Sequence, residues 1–205
     1  MPQPLLYSAF VMDTASHILH GLWRQPDGGQ VDFNSLELWT DLVKTLERGR
    51  FDVIFFADVH GVYGAPGESI TRHVKAGLQI PSNDPAVILS ALASHTEHLG
   101  LAITSSIVQD HPFSFARKMS TLDHASRGRI AWNIVTNGLS NGARNFGFDD
   151  LTPHDERYAW AEEYMEVVYK LWEGSWDDGA LLADRVSGMH ADPAKVHRID
   201  HAGPR

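Results

Sequence analysis

Residues 100–136 read GLAITSSIVQDHPFSFARKMSTLDHASRGRIAWNIVT. The stretch opens with an apolar run, Gly100 to Ser106, that ends in the small polar residues Thr104, Ser105 and Ser106. Pro112 then stands where a first helical residue belongs, and Phe115, Met119 and Leu122 follow at helical spacing. A second apolar run, Arg129 to Thr136, closes the segment. Strand, helix and strand in this order form the unit of a parallel sheet with a right-handed crossover. The repeat of roughly 30 residues is close to one eighth of a ~250-residue barrel.

Two earlier runs extend the pattern towards the N-terminus: Leu5 to Met12 (LLYSAFVM) and Asp52 to Asp58 (DVIFFAD). All four read as buried parallel strands, apolar on both faces, and Phe10, Phe56 and Trp132 read as core residues. Between them, Leu36, Trp39, Val43 and Leu46 make one apolar helix stripe that Gly49 stops. Asp84-Pro85 is a cap followed by proline at the first helical position. Thr152-Pro153-His154-Asp155 reads as a capped helix start, ahead of a stripe of Tyr158, Ala161, Met165, Val168 and Trp172. Residues 14–35 and 59–84 are long connections after strand C-terminal ends, where α/β enzymes place lids and binding loops. From Ser175 onward Gly, Asp, His and Pro dominate, and no further strand is expected. Periodicity alone leaves two architectures open: a complete four-stranded doubly wound domain, or the first half of a barrel with two open sheet edges.

Composition narrows the functional classes. The 205 residues carry 17 basic and 26 acidic side chains, a formal charge of −9. Scattered Lys and Arg on an acidic chain argue against nucleic acid or an anionic membrane as the main partner. No apolar run approaches the roughly 18 residues of a membrane span. Met1-Pro2-Gln3-Pro4 lacks the basic and apolar segments of a secretion signal, so a cytoplasmic location is expected. The absence of Cys excludes disulfides, thiolate metal sites and a cysteine nucleophile.

Polar residues gather at the predicted strand ends. Asp58 follows four apolar residues and precedes Val59, His60 and Gly61, placed either to accept hydrogen bonds from a ligand or to cap its own loop. Thr104 offers a hydroxyl to a ligand or to the turn. Asn137 and Asn145 flank a loop of small residues, 136–147, that is neither a Walker loop nor a GxGxxG turn. His154 and Tyr158, four apart at a helix start, suit an anionic ligand at the dipole, or serve as cap and core residues. Twelve histidines raise the question of a metal, but there is no HExxH, and Asp58-x-His60 is not a His-x-His pair, so no metal site is assigned.

The motifs FFADVHGVYG (55–64), ITSSIVQDHPFSFARKMSTLDHASRGRIAWNIVTN (103–137), ARNFGFDD (143–150) and HDERYAWAEEYMEVVYKLWEGSW (154–176) together resemble the flavin-dependent monooxygenases of the bacterial-luciferase-like superfamily. The branch they resemble holds nitrilotriacetate, EDTA, dibenzothiophene-sulfone and long-chain-alkane monooxygenases and pristinamycin synthase subunits. The similarity runs from the first strand to VHRIDHAGP (196–204). It implies an α/β fold of the TIM (β/α)8-barrel type. Residues 1–205 then hold only the first four βα units, as the N-terminal half of one barrel domain, and 175–205 begin an insertion after helix four.

The resemblance also implies the chemistry. Reduced FMN comes from a separate NAD(P)H:flavin oxidoreductase, and the enzyme uses it with O2 to insert one oxygen into a small organic substrate. Asp58, Thr104, Asn137, His154 and Tyr158 match positions at the flavin. His17, His20, Tyr63 and Gln79 match positions on the substrate side, with His17 or His20 as proton donor or substrate-polarising group. A cytoplasmic homo-oligomer is expected of the complete protein, and little activity or solubility of a half barrel by itself. Two other classes stay open: an inactive half-barrel remnant, and a metal-dependent barrel hydrolase.

Overall fold

The computed structural model describes residues 5–64 and 69–203. Met1 to Pro4, on which the reading of the N-terminus rests, and residues 65–68 of the second long connection lie outside them. The described residues up to Gln109, with Thr121–Thr152, form one compact unit, and Asp110–Ser120, with the described residues from Pro153 onward, form a second.

The first unit is built on four parallel strands, β1 (Ser8–Met12), β2 (Val53–Ala57), β3 (Gly100–Ser106) and β4 (Ile130–Val135), hydrogen-bonded in the order β1-β2-β3-β4. Register pairs Phe10 with Phe55, Phe55 with Ala102, and Ala102 with Ala131. Paired residues share a face, so the sheet has two faces of different character. Ile54, Phe56, Leu101 and Ile103 lie on one face and are buried. There Trp39 of α1 (Leu36–Arg48) lies in tilted ring contact with Phe56 at 5.1 Å, while α3 (Pro85–Leu92) contributes the buried Leu89 and Leu92. The α1 stripe forms through Trp39, Val43 and Leu46, whereas Leu36 in the first turn is exposed. Gly49 ends α1, and Asp84 caps α3 by accepting from the Ala86 N–H at 2.8 Å.

The other face corrects the expectation of strands buried on both sides. β3 in the centre is covered along its length, but Ala131 and Asn133 of β4 and Ser8 and Phe10 of β1 are exposed. Phe10 is 48% exposed rather than core, and lies in tilted ring contact with Phe55 at 5.1 Å. The reason is positional: β1 and β4 are edge strands, and no described element covers their ends of this face. The long connections also hold more structure than their composition suggests. Residues 14–35 contain two short 3-10 turns, Leu22–Arg24 and Gly29–Asp32, and 59–84 contain α2 (Thr71–Ala76). Thr14 Oγ1 donates to the Pro81 carbonyl at 2.7 Å and Ser16 Oγ to that of Gly77 at 2.6 Å, tying the two connections together.

After α4 (Pro112–Ser126) and β4 comes α5 (Ser140–Asn145). In the second unit, α6 (His154–Glu173) has Pro153 as its N-cap residue, with acidic Asp155 and Glu156 in its first turn. Its buried residues are Tyr164, Val167 and Val168, whereas Tyr158 and Trp172 of the expected stripe are exposed. Tyr164 packs at 5.9 Å from Phe115, and burial, with the charge of Asp110, pushes its phenol well above the usual range. The stretch expected to lack strands forms an antiparallel hairpin, β5 (Leu181–Asp184) with β6 (Met189–Ala191). It stands outside the parallel sheet.

Candidate active site

The polar groups of the first unit converge at the C-terminal ends of the strands. Asp58 immediately follows β2. Its Oδ1 accepts from the Val59 N–H at 2.8 Å and its Oδ2 pairs with His60 Nε2 at 3.1 Å. The carboxylate thus caps its own loop and orients His60, and further lone pairs on both oxygens remain for a ligand. His60 meets Phe146 edge-on at 5.1 Å, and its carbonyl accepts from Asn145 Nδ2 at 2.6 Å. Asn141 Nδ2 donates to the Val62 carbonyl at 2.7 Å, so the loops after β2 and β4 are laced together. Gly61 is required there, because a Cβ would fall 2.9 Å from the Gly142 nitrogen and against the Asn141 side chain.

Thr104 is buried on the same face as Phe10 and Phe55, and its Oγ1 accepts from Asn133 Nδ2 at 3.1 Å. With one lone pair engaged by that donor, the hydroxyl keeps its own proton available to donate. Asn137 adopts a left-handed φ of 64°, and its Oδ1 accepts from the Gly138 and Leu139 N–H groups at 2.7 and 3.2 Å. Its Nδ2 is buried without a partner. Asn tolerates this backbone conformation better than most residues, which fits its place at the turn.

His17 lies in tilted contact with Phe10 at 4.6 Å, and burial holds its imidazole below the ordinary histidine value. A ring held neutral beside an aromatic is able to accept a proton or a hydrogen bond. The backbone N–H of Gln79, at a left-handed φ of 54°, donates to the Ser16 carbonyl at 3.1 Å, bringing Gln79 beside the His17 segment. Its Oε1 is buried and unpartnered. Tyr63 is half exposed on the second connection. His20 lines a cleft with Arg24, Arg72 and Lys75.

Asp13 escaped the sequence reading. It follows β1 as Asp58 follows β2, and that shared position is the signal that could have found it. Only 2% exposed, it accepts at Oδ1 from Asn83 Nδ2 at 3.3 Å, while Oδ2 has no partner. Burial pushes its carboxyl up to about 6, with the Asn83 and Trp39 side chains opposing the rise and the charge of Asp58 adding to it.

In the second unit His154 and Tyr158 stand together on the first turn of α6, rings 4.7 Å apart, both exposed. His154 Nδ1 lies 2.9 Å from Asp155 Oδ1. Among the described residues no group of three or more His, Asp or Glu is gathered in a way that would hold a metal ion. No helix among them is long and apolar enough to cross a membrane.

A parallel α/β sheet with its polar groups at the strand C-terminal ends defines the class. A family model described as luciferase-like monooxygenase matches residues 12–203, and the chain belongs to that family. It is 47% identical over 203 residues to the long-chain alkane monooxygenase of Geobacillus thermodenitrificans (strain NG80-2), covering 99% of this chain and 46% of that protein. A crystal structure of long-chain alkane monooxygenase superposes with a TM-score of 0.95 at 46% identity, covering 100% of this chain and 47% of that one. Riboflavin lyase, solved with modified FMN and riboflavin, gives 0.89 at 40% identity, covering 98% of this chain and 45% of that one. The chain spans about half the length of the curated relatives it matches. The relatives fall in the branch that the motifs resemble.

Proposed function

We propose that the protein is an FMN-dependent monooxygenase of the two-component type, taking reduced flavin from a separate NAD(P)H:flavin oxidoreductase and oxygenating a small organic substrate. The observation that carries the reading is the 47% identity to an alkane monooxygenase over 99% of this chain, a span that includes every strand-end residue described above. The residues suit a flavin. Thr104 has a proton to donate, Asn137 Nδ2 is a buried donor without a partner, and Gln79 Oε1 and Asp13 Oδ2 are buried acceptors without partners. An isoalloxazine edge offers both donors and acceptors to such groups. Bound reduced flavin supplies the reaction with O2, and the chain's task is to orient it and keep water out.

In this reading Asp58, Thr104 and Asn137 hold the cofactor, and His154 and Tyr158 are assigned to it by family resemblance. His17, Tyr63 and Gln79 serve the substrate side, with His17 as the proton-transfer group, and Phe10 and Phe55 give that side an apolar wall. The four strands are taken as the first half of an eight-stranded barrel within one domain, which accounts for the exposed face of β1 and β4. Residues 175–205, with their hairpin, are taken as the start of an insertion. A cytoplasmic homo-oligomer completes the proposal.

The test is anaerobic titration of the protein with reduced FMN, followed by turnover with a flavin reductase and candidate substrates. Saturable binding and reductase-dependent oxygenation are expected. His17→Phe is expected to cut turnover at least about tenfold while leaving flavin affinity unchanged. Failure to bind reduced FMN overturns the proposal, and unchanged turnover in His17→Phe removes His17 from its role.

A further inference from the structure

Between the two long connections lies an open cleft of about 370 Å³ lined by the exposed His20, Arg24, Arg72 and Lys75, with Trp23 and Ala76, among others. Three permanent cations and a histidine thus face one space in a chain whose formal charge is −9. None of the four is ion-paired with a described carboxylate. No Asp or Glu lines the cavity among the described residues.

The walls are built rather than accidental. Trp23 Nε1 donates to the Ala76 carbonyl at 2.9 Å, fixing the 3-10 turn against the end of α2. Gly77 follows at a φ of 59°, and a Cβ there would approach Trp23 Nε1 to 3.3 Å. Ser16 Oγ holds the Gly77 carbonyl from the other side. Arg72 and Lys75, three apart, share one face of α2. Arg24 reaches the same cavity from the first connection.

Among the described residues these like charges have no counter-charge; gathered so, they repel one another, and a cleft of one sign concentrates the opposite ion. Guanidinium forks match the paired oxygens of carboxylate and phosphate. We infer that this cavity is a binding site for a small oxyanion, a carboxylate or phosphate group, held between Arg24 on the first connection and Arg72 and Lys75 on α2. The site does not depend on the flavin reading, since its residues are apart from those assigned to the cofactor. Occupied, it cross-links the two connections that follow β1 and β2.

The test follows the Trp23 indole N–H by NMR while the protein is titrated with inorganic phosphate, with succinate, and with sodium chloride at matched ionic strength. The inference expects a saturable Trp23 shift with phosphate or succinate and none with chloride. Preference between the two tells an inorganic from an organic source. Arg24→Gln with Arg72→Gln is expected to weaken binding at least about tenfold, and Lys75→Gln alone by a smaller factor. A linear response shared by chloride overturns the inference, as does equal affinity in the folded double variant. The wild-type titration decides the matter even where the double variant does not fold.

Discussion

Arg129 and Thr104 lie at opposite ends of one parallel sheet. Arg129, just before β4, uses all five guanidinium donors. Nε reaches the Ser126 carbonyl, Nη1 the Leu99 carbonyl and Thr96 Oγ1, and Nη2 the carbonyls of Ala93 and Thr96, at 2.7 to 3.0 Å. Nearby, Glu47 Oε1 accepts from the N–H groups of Glu97, His98 and Leu99 at 2.6 to 3.1 Å. Burial would raise its carboxyl, but these donors together hold it below the usual value. At the strand C-terminal ends the pattern reverses: Asp13 Oδ2, Gln79 Oε1 and Asn137 Nδ2 are buried with no partner. A buried polar atom left unpaired costs roughly 1–3 kcal/mol. One end is therefore satisfied by the chain itself, and the other leaves these polar atoms unpaired.

The largest effect is expected where the satisfied end is broken. Arg129→Met strands four carbonyls at once and should lower unfolding stability by about 4 kcal/mol in a urea titration. A loss below about 1 kcal/mol would mean that water replaces the guanidinium and that this end is not specially stitched.

Next comes Asp13, where the unsatisfied end should be improvable. Its folded carboxyl titrates at about 6 against 3.8 for the free group, so the folded state favours the protonated form. The stability from holding that proton is complete below about pH 4 and is lost as pH rises through about 6. The full loss is about 3 kcal/mol. Asp13→Asn keeps the acceptor for Asn83 and should raise stability at pH 8 by up to about 3 kcal/mol, flattening the profile between pH 4 and 7. Denaturant midpoints across that range check both statements. A variant no more stable than wild type at pH 8 would show that the ionised carboxylate is solvated.

Glu47→Gln removes a charge from three backbone bonds but leaves a carbonyl in place, so a loss of about 2 kcal/mol is expected at pH 7. Because the native carboxyl is held low, the wild type should lose this increment as pH falls through the depressed value. The variant should not. Thermal melts of the two at pH 7 and pH 3 test the difference.

What the sequence made legible was local. β3 was placed to the residue, because its apolar run and polar ending lie within seven consecutive positions. The Asp84 cap was readable because cap and acceptor geometry span two residues. Phe10 was misread because exposure on an edge strand depends on which neighbours cover it, and no local pattern carries that. Asp13 and Arg129 were missed for a related reason: their partners lie up to 70 residues away. The α6 stripe was misplaced because Tyr158 looks apolar enough to bury, while Tyr164 is the residue that packs on Phe115. In the hairpin β5–β6 every β5 residue is exposed, so no alternation announced it. Of the site, Asp58, Thr104 and Asn137 were visible as polar residues ending apolar runs, whereas the pairing of Thr104 with Asn133 and the bond from Asn141 to the Val62 carbonyl emerged only from the register and the loop lacing.

The contrast between the two ends is tested most directly by titrating FMN, through quenching of its fluorescence, into wild type, Thr104→Val and Glu47→Gln side by side with their urea midpoints. Thr104→Val should weaken flavin binding about tenfold, near 1.4 kcal/mol, with stability almost unchanged. Glu47→Gln should lose stability and keep wild-type affinity. Flavin bound equally well by Thr104→Val, or lost equally by Glu47→Gln, would contradict the division of the sheet into a stabilising end and a ligand-binding end.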